Sequence, residues 1–192
     1  AWVDVREGLR EAREGSEAPL YSAVNPHWSP YAAHVAWNQT LSCLAAVNPD
    51  LANLPSLSPS GVSGADAPNE YEALGAPAQV GPWAVPTYEQ DPGSVHLLQL
   101  ENRDDLADTA ARLSEATGAP EVSLASPVDF QNKPALTFNP NGRGTALIVR
   151  DSQGNNLGPD VAATFEYTIQ VGHGLDSEQP TDVAALIEAY KP

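Results

Sequence analysis

Four histidines, His27, His34, His96 and His173, and one cysteine, Cys43, are the side chains of this sequence best suited to metal binding or covalent catalysis. Their spacing supports neither. His27 and His34 are seven apart, whereas two imidazoles reach one metal from a single helical turn when they are four apart. No Cys, Asp or Glu completes a ligand set at a recognised spacing. A type 1 copper site needs a Cys followed by a His and usually a Met. The chain has no Met, and Cys43 is remote from His96 and His173. All four histidines therefore read as structural or surface residues, and Cys43 as a buried, inert thiol.

The motifs for nucleophilic and phosphate chemistry are likewise incomplete. Ser60-Gly61-Val62-Ser63-Gly64 comes nearest to Gly-x-Ser-x-Gly but lacks its spacing, and lies in a Pro/Gly-rich stretch rather than at a strand-to-helix turn. Gly142-Arg143-Gly144 has no Gly-Lys-Ser/Thr behind it and reads as a turn. Asp151-Ser152-Gln153-Gly154-Asn155, with Asp160, has the composition of a cation loop but lacks the Gly position and terminal Glu of the EF-hand. It reads as a polar turn. Asn38-Gln39-Thr40 is a sequon, which makes Asn38 a candidate glycosylation site. No catalytic, cofactor-binding or metal-binding residue is expected, and the chain is not expected to be an enzyme.

The elements that would position any site follow from periodicity and punctuation. Residues 4–14 carry an apolar stripe of Val5, Leu9 and Ala12, ended by Gly15. Ser29-Pro30 reads as the cap and first turn of a second helix that Asn48-Pro49 stops; a strand over 34–44 is the alternative. Residues 53–93 hold seven prolines and five glycines and read as an extended arm, tied down by Val80, Trp83 and Val85. Short strands are expected over 95–100, 121–125, 135–138 and 145–150, with a helix over 104–117. Asn102 or Asp104 would cap that helix. Asn139-Pro140-Asn141-Gly142 is a turn. Residues 161–171 alternate, with Phe165, Tyr167, Ile169 and Val171 on one side, as in a half-buried antiparallel strand. Residues 180–190 read as a capped amphipathic helix. The expectation is one α+β domain: a mainly helical part over 1–52, the arm over 53–93, and a β-rich core over 94–192.

Charge narrows the function classes. The chain has 25 Asp+Glu against 9 Lys+Arg, a formal charge of −16. Duplex nucleic acid and anionic membranes need clustered Lys and Arg, which are absent. No apolar run is long enough to span a membrane, and the first residues lack the basic and apolar stretches of a signal peptide. Lys and Arg are scarce together, as in proteins adapted to brine. At 1 M salt the screening length is roughly 3 Å, so the carboxylates scarcely repel one another. Trp2, Trp28, Trp37 and Trp83 all fall in the first 83 residues. Trp2 and Trp83, with Val80 and Val85, are the candidate interface anchors.

The alternating strand over 161–171 and the extended arm over 53–93 are similar in layout to virion structural proteins, capsid or tail, of viruses that infect haloarchaea. The resemblance implies an antiparallel, jelly-roll-like β-sandwich with peripheral helices. It also implies assembly with itself and other virion subunits in high salt, with solvent cations between carboxylates, and residence in the extracellular particle after assembly in the host cytoplasm. Two other classes stay open: a haloarchaeal surface or secreted binding module glycosylated at Asn38, and a small enzyme whose site forms only in three dimensions.

Overall fold

The structure, a computed structural model, describes residues 2–101, 106, 108–125, 134–174 and 180–192. The chain forms two compact units, residues 1–53 with 58–91 and residues 54–57 with 92–192.

In the first unit, helix α1 (Arg6–Glu14) packs beside helix α2 (Pro30–Val47). Ser29 starts α2 as the sequence implies: its hydroxyl accepts from the Ala32 N–H at 3.1 Å, and Pro30 fills the first helical position. Ala32, Ala33 and Ala36 line the buried face of α2. Small side chains there let neighbouring backbone come close. The expected extended arm is instead mostly a hairpin. Strand β1 (Gly61–Asp66) pairs antiparallel with β2 (Pro82–Thr87). Pro82 and Pro86 cannot donate to a ladder, which confines β2 to a two-stranded ribbon and hides the strand from a propensity reading. The hairpin closes on Leu20, Ala32 and Ala84 in one cluster and on Val24, Ala67 and Trp83 in another.

Gly8 decides how the two helices meet. The Gln39 amide lies against it, its nitrogen donating to Val5 O at 3.2 Å and its oxygen accepting from the Gly8 N–H at 3.0 Å. Gln39 thereby satisfies a donor that the first turn of α1 leaves open. A Cβ at Gly8 would overlap that amide. Gly8→Ala should therefore destabilise the protein despite a gain of about 1 kcal/mol in helix propensity. Gly8→Ala combined with Gln39→Ala should recover part of the loss. A urea-unfolding cycle of the two substitutions reads the coupling.

The second unit is built on a five-stranded sheet of order β4-β3-β5-β7-β6. Its strands are β3 (Ser94–Gln99), β4 (Glu121–Ser123), β5 (Ala135–Phe138), β6 (Thr145–Arg150) and β7 (Tyr167–Gly172). Helix α3 (Thr109–Thr117) is capped by Asp108, whose carboxylate accepts from the Ala111 N–H; the expected caps Asn102 and Asp104 lie outside the described residues. Helix α5 (Val183–Tyr190) is capped by Asp182. Both helices contribute to a core of Leu100, Leu106, Ala116, Leu136, Ile169, Val171 and Tyr190, with Leu113 and Leu186 packed against it.

The architecture is α+β, but the sheet is mixed rather than the purely antiparallel one of a jelly roll, because β6 and β7 run parallel. Parallel neighbours need a crossover. It consists of a 3-10 turn (Ser152–Leu157) and helix α4 (Gly158–Thr164). Residues 161–164, read from alternation as the start of a strand, therefore belong to α4. Strand β7 is also buried on both sides. Thr168 is 0 % and Gln170 1 % exposed, so their alternation with Ile169 and Val171 separates two buried faces rather than core from water. Polar groups on that face bond across strands: the Thr137 and Thr168 hydroxyls bond each other, and Gln170 Oε1 accepts from Arg150 Nε at 3.2 Å, while Gln170 Nε2 is buried with no partner among the described residues. No helix among the described residues is long and apolar enough to cross a membrane.

Candidate functional site

The loop preceding α2 is closed at its base by the Ser29 N–H donating to Leu20 O at 2.7 Å, with a bridge between Tyr21 and Trp28. Within it, Asn25 folds back on its own chain as an Asx turn: its Oδ1 accepts from the His27 N–H at 2.9 Å. The same oxygen lies 2.9 Å from His27 Nδ1, and Glu70 Oε1 lies 3.1 Å from that nitrogen. The Asn25 amide nitrogen donates to Glu70 Oε1 at 3.0 Å and to Pro68 O at 2.8 Å. The Glu70 N–H donates to Val24 O at 3.1 Å. His27 is thus a buried imidazole fixed by an amide and a carboxylate, all within the first unit.

The chemistry of this arrangement follows from the two oxygens at Nδ1. They require Nδ1 to carry the hydrogen, which leaves the lone pair of the neutral ring on Nε2. Among the described residues no group is hydrogen-bonded to Nε2. An imidazole held in one tautomer, with a carboxylate behind it and a basic nitrogen in front, is the arrangement of a general base.

In the second unit, Ser152 directly follows Asp151 at the end of β6 and opens the 3-10 turn leading to α4. It is exposed. Asp151 caps the turn by accepting from the Gln153 N–H at 2.9 Å. Arg150 fixes the turn from below: its Nη1 donates to Asp151 O at 3.1 Å and to the Asn155 side chain. Burial lowers the Arg150 pKa, partly opposed by the Asp151 charge. Gly154 lies so close to the Arg150 side chain that a Cβ would overlap it. The segment read as a polar turn is therefore a braced strand-to-helix connection.

The remaining candidates are dispersed. Trp2 is 92 % and Val80 76 % exposed, whereas Trp83 is 7 % exposed and packs on Val24 and Ala67, with the half-buried Val85 beside it. Asn38 is half-buried in the middle of α2, and its amide nitrogen bonds His34 Nε2 at 2.8 Å. Cys43, expected buried, is exposed, because that turn of α2 extends past the packed alanine face. His96 Nδ1 bonds Ala119 O at 2.7 Å and its ring stacks on Phe138, a structural role. Among the described residues no three His, Cys, Asp or Glu side chains could hold one metal ion. Sequence reasoning missed His27 because it tested histidines against one another. The local signal was the short Asn-x-His turn; the Glu70 partner lies 45 residues from Asn25, inside the expected arm.

No family model matches this chain, and no curated protein does. Solved structures do. Two structures of PatB1 from Bacillus cereus, one with a sulfonyl adduct, match 94 % of the chain at 15 % identity, with TM-scores of 0.54 and 0.53. The chain has a PatB1-like fold. It spans 59 % and 61 % of the two PatB1 chains. A DHHW family protein from Eubacterium siraeum DSM 15702 matches 88 % of the chain at 16 % identity and a TM-score of 0.46, over 55 % of its own length. The likeness to PatB1 concerns fold: at this identity it assigns no residue a role, and the site rests on the His27 geometry.

Proposed function

We propose that this protein is an enzyme that hydrolyses or transfers an acyl group, with His27 as its general base. The observation that carries the reading is the imidazole held by Asn25 and Glu70 with Nε2 left basic. Nε2 takes the proton of an attacking hydroxyl as that oxygen bonds to the acyl carbon, and returns it to the leaving oxygen as the old bond breaks. Glu70 stabilises the imidazolium formed in between. The sulfonyl adduct of PatB1 supports the reading, since sulfonyl groups attach covalently to activated nucleophiles.

In the second unit, Ser152 has the backbone setting of a nucleophile: an exposed hydroxyl on a sharp strand-to-helix connection. A sulfonyl fluoride probe followed by peptide mass mapping tests it. One sulfonyl group on Ser152, absent from Ser152→Ala, is expected. Labelling at another residue, or none, removes Ser152 from the reading.

A second reading is favoured by Trp2 and Val80, two large apolar side chains left in solvent. Under it the protein is a virion subunit of a halophilic virus, associating through these residues in molar salt. Sedimentation should then show an oligomer in high salt that dissociates in Trp2→Ala. A monomer at every salt concentration would overturn it.

A further inference from the structure

Within the first unit an open cleft of about 640 Å³ lies along α1, α2 and β1. Asn38, Ser42 and Ser60, three of its polar side chains, share one property. The Asn38 amide donates to His34 Nε2, which leaves Oδ1 directed elsewhere with no partner among the described residues. The Ser42 hydroxyl donates its hydrogen to Asn38 O at 2.9 Å, and the Ser60 hydroxyl donates to Thr87 O at 3.2 Å. Gln39, which also reaches the cleft, has both ends of its amide engaged by α1. The hydrogens of these three side chains are therefore spent inside the protein, and their lone pairs are what remains. Glu11 adds a carboxylate and Tyr31 adds an aromatic ring; among the described residues no Lys or Arg lines the cleft.

A surface that offers acceptors, one negative charge and an aromatic ring is complementary to a group that is all donor and positive. An ammonium has three N–H donors and no acceptor, and aromatic rings attract it further. We infer that this cleft binds a small primary ammonium compound, with its –NH3+ group among the Glu11 carboxylate, Asn38 Oδ1 and the two serine oxygens, and its carbon chain against Tyr31. The site is separate from His27, and the inference does not depend on the proposed reaction.

The test is a titration of the whole chain with ethylammonium chloride, replacing sodium chloride at constant ionic strength and followed by amide NMR. Saturable shifts are expected at Glu11, Asn38, Ser42 and Ser60. Glu11→Gln, an exposed substitution, should weaken the apparent affinity several-fold while leaving the rest of the spectrum in place. Ser42→Ala should weaken it less. Tetramethylammonium, with equal charge but no N–H donor, should bind more weakly, and sorbitol should shift nothing. No saturable shift, an unchanged affinity in Glu11→Gln, or equal binding of tetramethylammonium or sorbitol would overturn the assignment.

Discussion

His27→Ala is expected to lower kcat/KM for hydrolysis of an activated aryl ester by about 10²–10⁴-fold, the range a positioned general base supplies. The reason is specific to Nε2. Asn25 and Glu70 fix the hydrogen on Nδ1, so the basic nitrogen is both defined and oriented before any substrate arrives. Glu70→Gln keeps the size of the side chain and removes its charge. It should leave the imidazole roughly in place but no longer stabilise the imidazolium, giving a smaller loss confined to kcat. His27→Gln, which keeps a polar side chain but cannot take up the proton, should lose the activity as well. Circular dichroism before and after heating separates loss of chemistry from loss of fold. Full activity in a folded His27→Ala protein would sink the proposed function, whatever the sulfonyl probe reports at Ser152.

The largest effect on stability is expected at Gly142. Its φ is ordinary, so conformational freedom is not the issue. The turn it ends is pressed against the junction of α4 and β7, where a Cβ would overlap the carbonyl of Phe165 and the nitrogen of Glu166. Those are backbone atoms, and they cannot swing aside as a side chain would. They are also held in place: Asn139 is buried, its amide nitrogen donates to Ala162 O at 3.0 Å and to Ala163 O at 3.1 Å, and the Arg143 N–H donates to Thr164 O at 3.2 Å. Gly142→Ala should cost about 3 kcal/mol, the upper part of the overpacking range. Urea unfolding should show a lower midpoint with little change in slope. Gly144 is the contrast. It has φ +73° but nothing within 4 Å of where a methyl group would sit, so Gly144→Ala should cost about 1–2 kcal/mol from backbone conformation alone. A Gly142→Ala protein as stable as the parent would show that the junction yields.

Much of the local structure was legible because it is set by short-range physics. Ser29-Pro30 announced α2, and the segments 135–138 and 145–150 became β5 and β6 with the expected bounds. Asn139-Pro140-Asn141-Gly142 announced its turn. Other elements were hidden for identifiable reasons. Pro82 and Pro86 mask β2, whose pairing depends on β1 beginning 21 residues earlier rather than on its own propensity. Val161 continues the alternation of β7 into a helix, because a parallel neighbour imposes a crossover that no local pattern encodes. The Asn25-His27 turn was readable in principle, but what makes that histidine a base is Glu70, carried in on the hairpin connection.

By itself the sequence determined the charge of −16, the α+β class, the Ser29 cap of α2 and the Asn139–Gly142 turn, since each depends on composition or on neighbours a few residues apart. Only the tertiary structure decided which strand lies beside which, that Trp83 is core while Trp2 is exposed, and that the buried His27 is clasped by Glu70, a carboxylate distant in the chain. The physical reason is that hydrogen-bond chemistry is set by distances of about 3 Å in space, and chain separation does not report them.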